Sequence, residues 1–277
     1  MDSKFFTAVE IAPQTTAIIG LGNELCYLVE GKTKALLIDT LLGVGNLRAF
    51  CRELTDLPIT VVNTHGHADH TGGNFDFDEC YIHPNDIFLI YEPEKLRVEY
   101  VKNGIRKSGK NIVLMESDFT VAKPMKTLPV YDGFVFELGD RNIEVITVPG
   151  HTCGSIVLLD RDNRIVFSGD ACNSNTLLFL SHSTSIEEYR ESLERFKLFQ
   201  PFFDVMWGGH ALRPVLGVII DEAIELCGEI LAGTDDAEES EHLGRPCFYG
   251  KKRDADFKRQ DGKIANIAYD KRKINKK

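Results

Sequence analysis

The segment Val61-Val62-Asn63-Thr64-His65-Gly66-His67-Ala68-Asp69-His70-Thr71-Gly72-Gly73-Asn74 constrains this chain more than any other. Four side chains able to ligate a metal, His65, His67, Asp69 and His70, fall within six residues, directly after an apolar, β-branched run. Ile59–Val62 reads as a short buried strand, which leaves the ligands on a loop at its carboxyl end. Side chains alternate with period two in an extended chain, so His65 and His67 point the same way. Asp69 and His70 follow where the chain turns and can address a second, neighbouring position. The glycines at 66, 72 and 73 allow tight turning where a side chain would collide. Only eight histidines are spread over the 277 residues, so three within six positions argue against an ordinary polar loop. The stretch reads as a metal site.

Three later segments repeat the design, an apolar strand ending in a ligand beside glycine. Val145-Ile146-Thr147-Val148-Pro149-Gly150-His151 delivers His151, Ile165-Val166-Phe167-Ser168-Gly169-Asp170 delivers Asp170, and Val205-Met206-Trp207-Gly208-Gly209-His210 delivers His210. A lone strand-end histidine is often a core group with its hydrogen bonds satisfied. Four strand ends supplying five histidines and two aspartates are hard to credit to chance, and strand ends give a rigid frame for a preorganised site.

The set resembles the metallo-β-lactamase superfamily. The matching pieces are T-H-G-H-A-D-H-T-G-G at 64–73, P-G-H-T-C-G-S at 149–155, S-G-D at 168–170 and G-G-H at 208–210. The resemblance implies an α+β fold, a four-layer αβ/βα sandwich with metals at one edge of two packed mixed sheets. It also implies that His65, His67 and His151 hold one ion, that Asp69, His70 and His210 hold a second, and that Asp170 bridges both. A bridging aspartate here is unusual in true zinc β-lactamases, which counts against antibiotic hydrolysis. The Ser168-Gly169-Asp170 motif continues Ala171-Cys172-Asn173-Ser174, without a glyoxalase-type or persulfide-dioxygenase-type extension.

Two divalent ions about 3.5–4 Å apart can hold a water between them and bring its pKa toward neutrality. That chemistry predicts a hydrolase in which a bridging hydroxide attacks a small ester, lactone or thioester, with Asp69 both ligating and handling a proton. Mixed imidazole and carboxylate ligands put zinc first among the cofactors, with iron or manganese as alternatives. The competing readings of the same set are a phosphodiesterase and a mononuclear iron dioxygenase. A flavodiiron-type enzyme fits less well, because no flavin domain follows and His67 stands where an acidic ligand is usual. A non-catalytic scaffold is disfavoured by the completeness of the set.

Charge narrows the partners. Residues 245–277 hold twelve Lys/Arg against four Asp/Glu, a net of +8, so the rest of the chain carries −18 of the overall −10. An acidic body repels nucleic acid at long range, and a small-molecule substrate is expected instead. The basic tail is expected to be a solvated segment folding back on that body. No apolar run approaches the ~18–20 residues that span a bilayer. The start, Met1-Asp2-Ser3-Lys4-Phe5-Phe6, lacks the layout of a secretory signal, and a cytoplasmic protein is expected. Seven cysteines without a C-x-x-C pair fit reduced thiols, with packing roles for Cys153 and Cys172.

The chain reads as one domain, 1–277, whose two strand-rich halves suggest a pseudo-duplicated fold. Strands are expected at Phe5–Glu10, Thr16–Ile19, Leu25–Glu30, Ala35–Asp39, Cys80–His83, Phe134–Glu137, Asn142–Val148, Ser155–Leu159, Arg164–Phe167, Asp204–Trp207 and Ile264–Tyr269. Helices are expected at Leu47–Leu54, from Pro84, at Ile186–Phe199 with Ser185 as N-cap, and at Leu212–Leu231. Residues 92–127 are charged and poor in strand pattern, an insertion of helices and loops suited to substrate selection. Its cations, Lys95, Arg97, Lys102, Arg106, Lys107 and Lys110, are what a phosphodiesterase would need. Tyr91, Tyr100 and Tyr131, in or beside it, are candidates for a hydrogen bond to an oxyanion or leaving group. Gly233–Leu243 reads as an acidic linker. Asp39 either supports a ligand or caps a turn, His83 enters a helix, and His182 is a candidate substrate contact.

Overall fold

The computed structural model describes residues 1–91, 94–108, 111–242 and 244–276, the side chains of 94–96 and 108 excepted. Expectations that fall on Glu92, Lys95 and Lys110 therefore lie outside the described residues. The chain divides into two compact units, Met1–Val145 with Gly209–Arg213, and Ile146–Gly208 with Pro214–Lys277.

The first unit holds a seven-stranded sheet whose spatial order follows the chain: β1 (Thr7–Ala12), β2 (Thr15–Ile19), β3 (Leu25–Glu30), β4 (Ala35–Ile38), β5 (Ile59–Val62), β6 (Glu79–Ile82) and β7 (Lys126–Pro129). The first four pair antiparallel through tight turns, and the last four pair parallel through longer crossovers. Parallel pairing needs both faces covered. Accordingly every residue of β4 is buried. Helix α1 (Leu47–Leu54) starts on an Asn46 side chain that accepts from Ala49 N, and packs Leu47, Phe50 and Cys51 inward. Their companions in that core include Leu28, Leu37, Val61, Phe75 and Ile82. A hairpin of β8 (Val135–Glu137) and β9 (Asn142–Thr147) follows β7. Arg141 at its turn is buried and donates to the carbonyls of Gln14 and Glu30 and to Thr15 Oγ1.

Residues 92–127 contain helix α3 (Glu94–Ser108) and a short 3-10 turn at Glu116–Asp118, the mixture of helix and loop expected. Arg97 on α3 is buried and donates to the carbonyls of Gly72 and Thr120. The insertion is thereby tied to the end of the His65–His70 loop.

In the second unit, β10 (Ile156–Asp160), β11 (Ile165–Gly169), β13 (Val205–Gly208) and β14 (Val215–Leu216) pair in that order. Helices α4 (Ile186–Lys197) and α5 (Val218–Ala232) bury Tyr189, Leu193, Phe196, Ile219, Leu226 and Ile230 in a core shared with Val157, Val166 and Met206. Ser185 caps α4 in a reciprocal box with Glu188, as its position before two glutamates predicts. A second sheet places β12 (Thr176–Leu178) beside β17 (Ile267–Tyr269), then β16 (Arg245–Tyr249) and β15 (Glu238–His242).

Three expectations fail here for physical reasons. The helix expected from Leu212 begins only at Val218, because Pro214 and Gly217 interrupt it and Val215–Leu216 pairs with β13 instead. The acidic linker is in part strand β15, its Glu238 paired with Arg253 and its backbone registered against β16. Nor is the basic tail merely solvated, since residues 245–249 and 267–269 are sheet strands and Tyr249, Ala268 and Tyr269 are buried. Its charges are neutralised locally, as in the pairs Lys263–Glu225, Lys276–Glu191 and Lys251–Glu229. No helix among the described residues is long and apolar enough to cross a membrane.

Candidate metal centre

In the first unit the loop after β5 opens into a single helical turn, α2 (Ala68–Thr71), with His67 as its N-cap. The turn carries Asp69 and His70. His210 arrives from Gly209–Arg213, fixed because Leu25 N donates to Gly209 O at 2.8 Å and Glu24 bridges to His210. One ligating atom each of Asp69, His70 and His210 lies within 4.8 Å of the other two. His210 Nε2 is 3.4 Å and His70 Nε2 3.9 Å from Asp69 Oδ2. His65 Nε2 faces His67 Nδ1 at 3.0 Å, and the His65 and His70 rings are 4.1 Å apart.

The candidate ligand His70 is aimed by a buried neighbour. Asp39 ends β4 with φ of 64°, a left-handed conformation that aspartate tolerates better than most residues. Its Oδ2 accepts from His70 Nδ1 at 2.8 Å and from Thr64 Oγ1 at 2.7 Å, and its Oδ1 accepts from Thr64 N at 2.7 Å. A carboxylate acceptor holds the proton on Nδ1, so the His70 Nε2 lone pair is turned toward Asp69 and His210. Of the two roles open to Asp39, the geometry selects support of His70. Asn63 and Asn74 exchange hydrogen bonds, and Asn63 also donates to His70 O at 2.9 Å. Asp86 is buried, and its Oδ2 accepts from Gly66 N at 3.0 Å. A methyl group on Gly66 would stand 2.5 Å from Asp86 O, so the loop can close on that segment only as glycine.

Glu24 is the unexpected acid of this unit. Burial, with a smaller contribution from the Asp69 charge, raises its pKa to about 7, and its Oε2 has no hydrogen-bond partner. Sequence pattern gave no warning of it, because a glutamate after a Gly-Asn turn reads as surface. Asp86 and Asn74 were equally hidden, since their roles depend on contacts made through space.

The second unit holds His151 and Asp170, with His151 Nε2 3.8 Å from Asp170 Oδ2. His151 Nδ1 donates to Leu177 O at 2.9 Å, so Nε2 again carries the lone pair. Ser183 Oγ donates to His151 O at 2.7 Å, and Tyr189 Oη donates to Ala171 O at 2.8 Å, one residue beyond Asp170. The Tyr189 ring lies where a Cβ on Gly150 would be, 2.1 Å away. His182 is half-buried, and burial, with smaller contributions from the cationic side chains of Lys273 and Arg245, pushes its pKa down to about 4. Lys273 donates to the carbonyls of Leu180, Ser181 and Ser183, which pins the His182 loop. Cys172 is buried as expected, but Cys153 is exposed, and its thiol donates to His182 O at 3.3 Å.

Among the tyrosines, Tyr100 lines a cleft beside His210, whereas Tyr91 and Tyr131 are exposed. His83 Nδ1 accepts from Asn85 N, the helix-entry role expected. Lys102, Arg106 and Lys107 point to solvent and Arg97 is committed to carbonyls, so the described cations of the insertion line no wall of that cleft.

Comparison with known proteins agrees with this geometry. The family model described as the metallo-beta-lactamase superfamily matches residues 19–202. The bovine and human proteins named acyl-coenzyme A thioesterase MBLAC2 are each 30% identical over 182 residues, covering 61% of this chain and 65% of theirs. The chain thus spans just under two thirds of the length of those relatives. A probable metallo-hydrolase of Methanocaldococcus jannaschii is 28% identical over 144 residues, covering 50% of this chain and 63% of its own. Among solved structures, a metallo-beta-lactamase from Pontibacter korlensis superposes with a TM-score of 0.56 at 16% identity, over 79% of this chain and 97% of its own. A metallo-beta-lactamase family protein from Thermus thermophilus gives 0.54 at 21% identity, over 84% and 82%. These likenesses fix the fold class as α+β, of the metallo-β-lactamase type.

Proposed function

The chain belongs to the metallo-β-lactamase superfamily of metal-dependent hydrolases, and on that footing we propose that it hydrolyses an acyl ester of a small molecule, a thioester before an oxygen ester or lactone. The observation that carries the reading is the Asp69–His70–His210 triangle, with the His70 imidazole aimed by Asp39 on its far side. The donor chemistry fits a divalent cation. Imidazole nitrogens and a carboxylate converge within 4.8 Å of one another, a donor set of the kind that holds such an ion. Similarity to proteins named acyl-coenzyme A thioesterase directs the choice of bond.

In this reading His65, His67 and His151 would hold one ion, Asp69, His70 and His210 a second, and Asp170 would serve both. Zinc is proposed first, on the imidazole-rich set, with iron or manganese next. When bound, such ions supply a water that ionises near neutral pH and polarise an acyl carbonyl. The chain's own residues do the rest. Asp39 and Leu177 O keep the Nδ1 protons of His70 and His151 in place. Asp69 takes a proton from the attacking water and returns it to the leaving thiol or alcohol. His182, kept neutral at pH 7, has the donor and acceptor chemistry to hydrogen-bond a substrate oxygen. The phosphodiesterase alternative loses support because, among the described cations it would draw on, Arg97 is committed to carbonyls and Lys102, Arg106 and Lys107 are exposed.

Metal analysis of the purified protein, paired with hydrolysis assays on acyl thioesters, aryl esters, lactones, a β-lactam and a phosphodiester, tests the proposal. About two divalent ions per chain with thioester turnover is the expected result, and His67→Ala and Asp170→Ala should lose metal and activity together. Turnover of the phosphodiester alone, or a single iron with no hydrolysis, overturns it.

A further inference from the structure

The first unit contains a cleft of about 480 Å³ that the ligand set does not account for. It is bounded by the Gly20–Asn23 turn, by Tyr100 on α3, and by the segment that carries His210. Ile19, Leu25, Ala211, Leu212 and the Tyr100 ring give it apolar walls, and among the described residues no carboxylate, ammonium or guanidinium lines it. His210 forms part of the wall, so one end of whatever lies in the cleft touches a candidate ligand.

The walls are built by close backbone approach. A Cβ on Gly104 would stand 2.5 Å from Gly22 Cα, and one on Gly22 would stand 2.9 Å from Tyr100 ring carbons. Helix α3 therefore sits directly on the turn, with only glycine allowing the contact. On the far side Ala211 has φ of 63°, a conformation rare for alanine, and Arg213 N closes a tight turn onto Ala211 O at 2.6 Å. Strain of this kind, retained next to a ligand, marks a loop whose shape is used. Leu212, 37% exposed, stands at the rim.

Resting on the thioester reading, we infer that this cleft takes the acyl chain of the substrate, with Tyr100 and Leu212 setting how long a chain it accepts. A thioester of a large cofactor has two ends. The carrier end bears phosphates and amides, which need cations and hydrogen-bond partners, and among the described residues these walls offer Asn23 and His210 but no cation. The acyl end needs only apolar surface, and a site of this size and lining is of the kind that buries small apolar groups.

Each methylene buried in the cleft is expected to raise kcat/KM about fourfold, up to the length at which the cleft is full. The first measurement is kcat/KM of the metal-loaded protein for one thiol carrying saturated acyl groups from acetyl to dodecanoyl. Leu212→Trp should bring the plateau to a shorter chain and Tyr100→Ala to a longer one, while the exposed Val113→Ser leaves the profile unchanged. The second measurement needs no turnover. In Leu212→Trp the new indole reports binding of alkyl methyl ketones, uncharged analogues that cannot be hydrolysed, and affinity should climb with chain length about fourfold per methylene. Thioester turnover with a flat acyl profile, or ketone affinity independent of length, overturns the assignment and leaves the hydrolase standing. Length-dependent ketone binding without any thioester turnover keeps the cleft and sinks the reaction instead.

Discussion

The two units fix their candidate metal-ligating histidines by different means. In the first, His70 is held by the side chain of Asp39, and the surrounding loop by Asn63, Asn74 and Asp86. In the second, His151 is held by the carbonyl of Leu177, with Ser183 steadying its backbone. A carboxylate is charged, so it strengthens the bond to imidazole and raises the basicity of the opposite nitrogen. A carbonyl fixes the same tautomer with less electrostatic effect, but no substitution can delete it. The first arrangement is stronger and can be lost in a single mutation. The second is weaker and insensitive to mutation.

The sharpest break is Asp39→Ala. It removes one acceptor group from Thr64 N, Thr64 Oγ1 and His70 Nδ1 at once, inside a pocket where Asp39 itself is 2% exposed. A cost of about 3–5 kcal/mol is expected in urea unfolding, together with a roughly 10- to 100-fold loss of metal affinity. Asp39→Asn separates the two effects. The amide keeps the shape and can still accept from Thr64 N, but it presents N–H to His70 and drives the proton to Nε2, the atom aimed at Asp69. Stability should largely return and metal affinity should not. Equal metal affinity in wild type and Asp39→Asn would show that the carboxylate does not set the tautomer.

Next in size is a pH effect at Glu24. In protein stripped of metal, its folded pKa is about 7 against an ordinary value of 4.5. Between those values the folded chain holds a proton that the unfolded chain has released, so stability is full below the lower value and falls as pH rises through the upper one. The loss is on the order of 3 kcal/mol by pH 8. Glu24→Gln mimics the protonated acid and carries no such penalty. Urea midpoints of the two metal-free proteins should therefore agree near pH 4 and diverge by pH 8, with the variant the more stable. Parallel curves across that range would place the Glu24 titration elsewhere.

What the sequence revealed follows the same division. The candidate ligands stand out in the sequence because most of them combine two local signals, an apolar strand and a glycine beside a histidine or aspartate, as at Val148-Pro149-Gly150-His151. Strands β3 and β5 and helix α1 were legible to the residue, since alternation and caps are also local. Asp39 was legible as a strand-end acid but not as the partner of His70, thirty-one positions away. Glu24 and Asp86 gave no signal at all, because burial of an acid is decided by what folds over it. The strand β15 was misread for the related reason that its acidic residues look solvated until Arg253 and β16 are placed beside them. Helix α5 was started too early because Leu212 and Val215 fit a helical period, while Pro214 and the pairing with β13 weigh more.

The smallest expected effect tests the second unit's side of the contrast. Ser183 Oγ donates to His151 O at 2.7 Å and more distantly to Leu177 O at 3.4 Å, so its hydroxyl ties together the ligand and the segment that aims it. Ser183→Ala removes that bond but leaves the His151 Nδ1 bond to Leu177 O intact. The net cost should be about 1 kcal/mol, a typical value for one buried neutral hydrogen bond, seen as a lower urea midpoint with an unchanged slope. Metal affinity should move by less than about threefold, because the tautomer of His151 is still set by a main-chain oxygen. A loss of metal as large as that of Asp39→Asn would mean that the serine, and not the backbone, orients His151, and the contrast between the units would disappear.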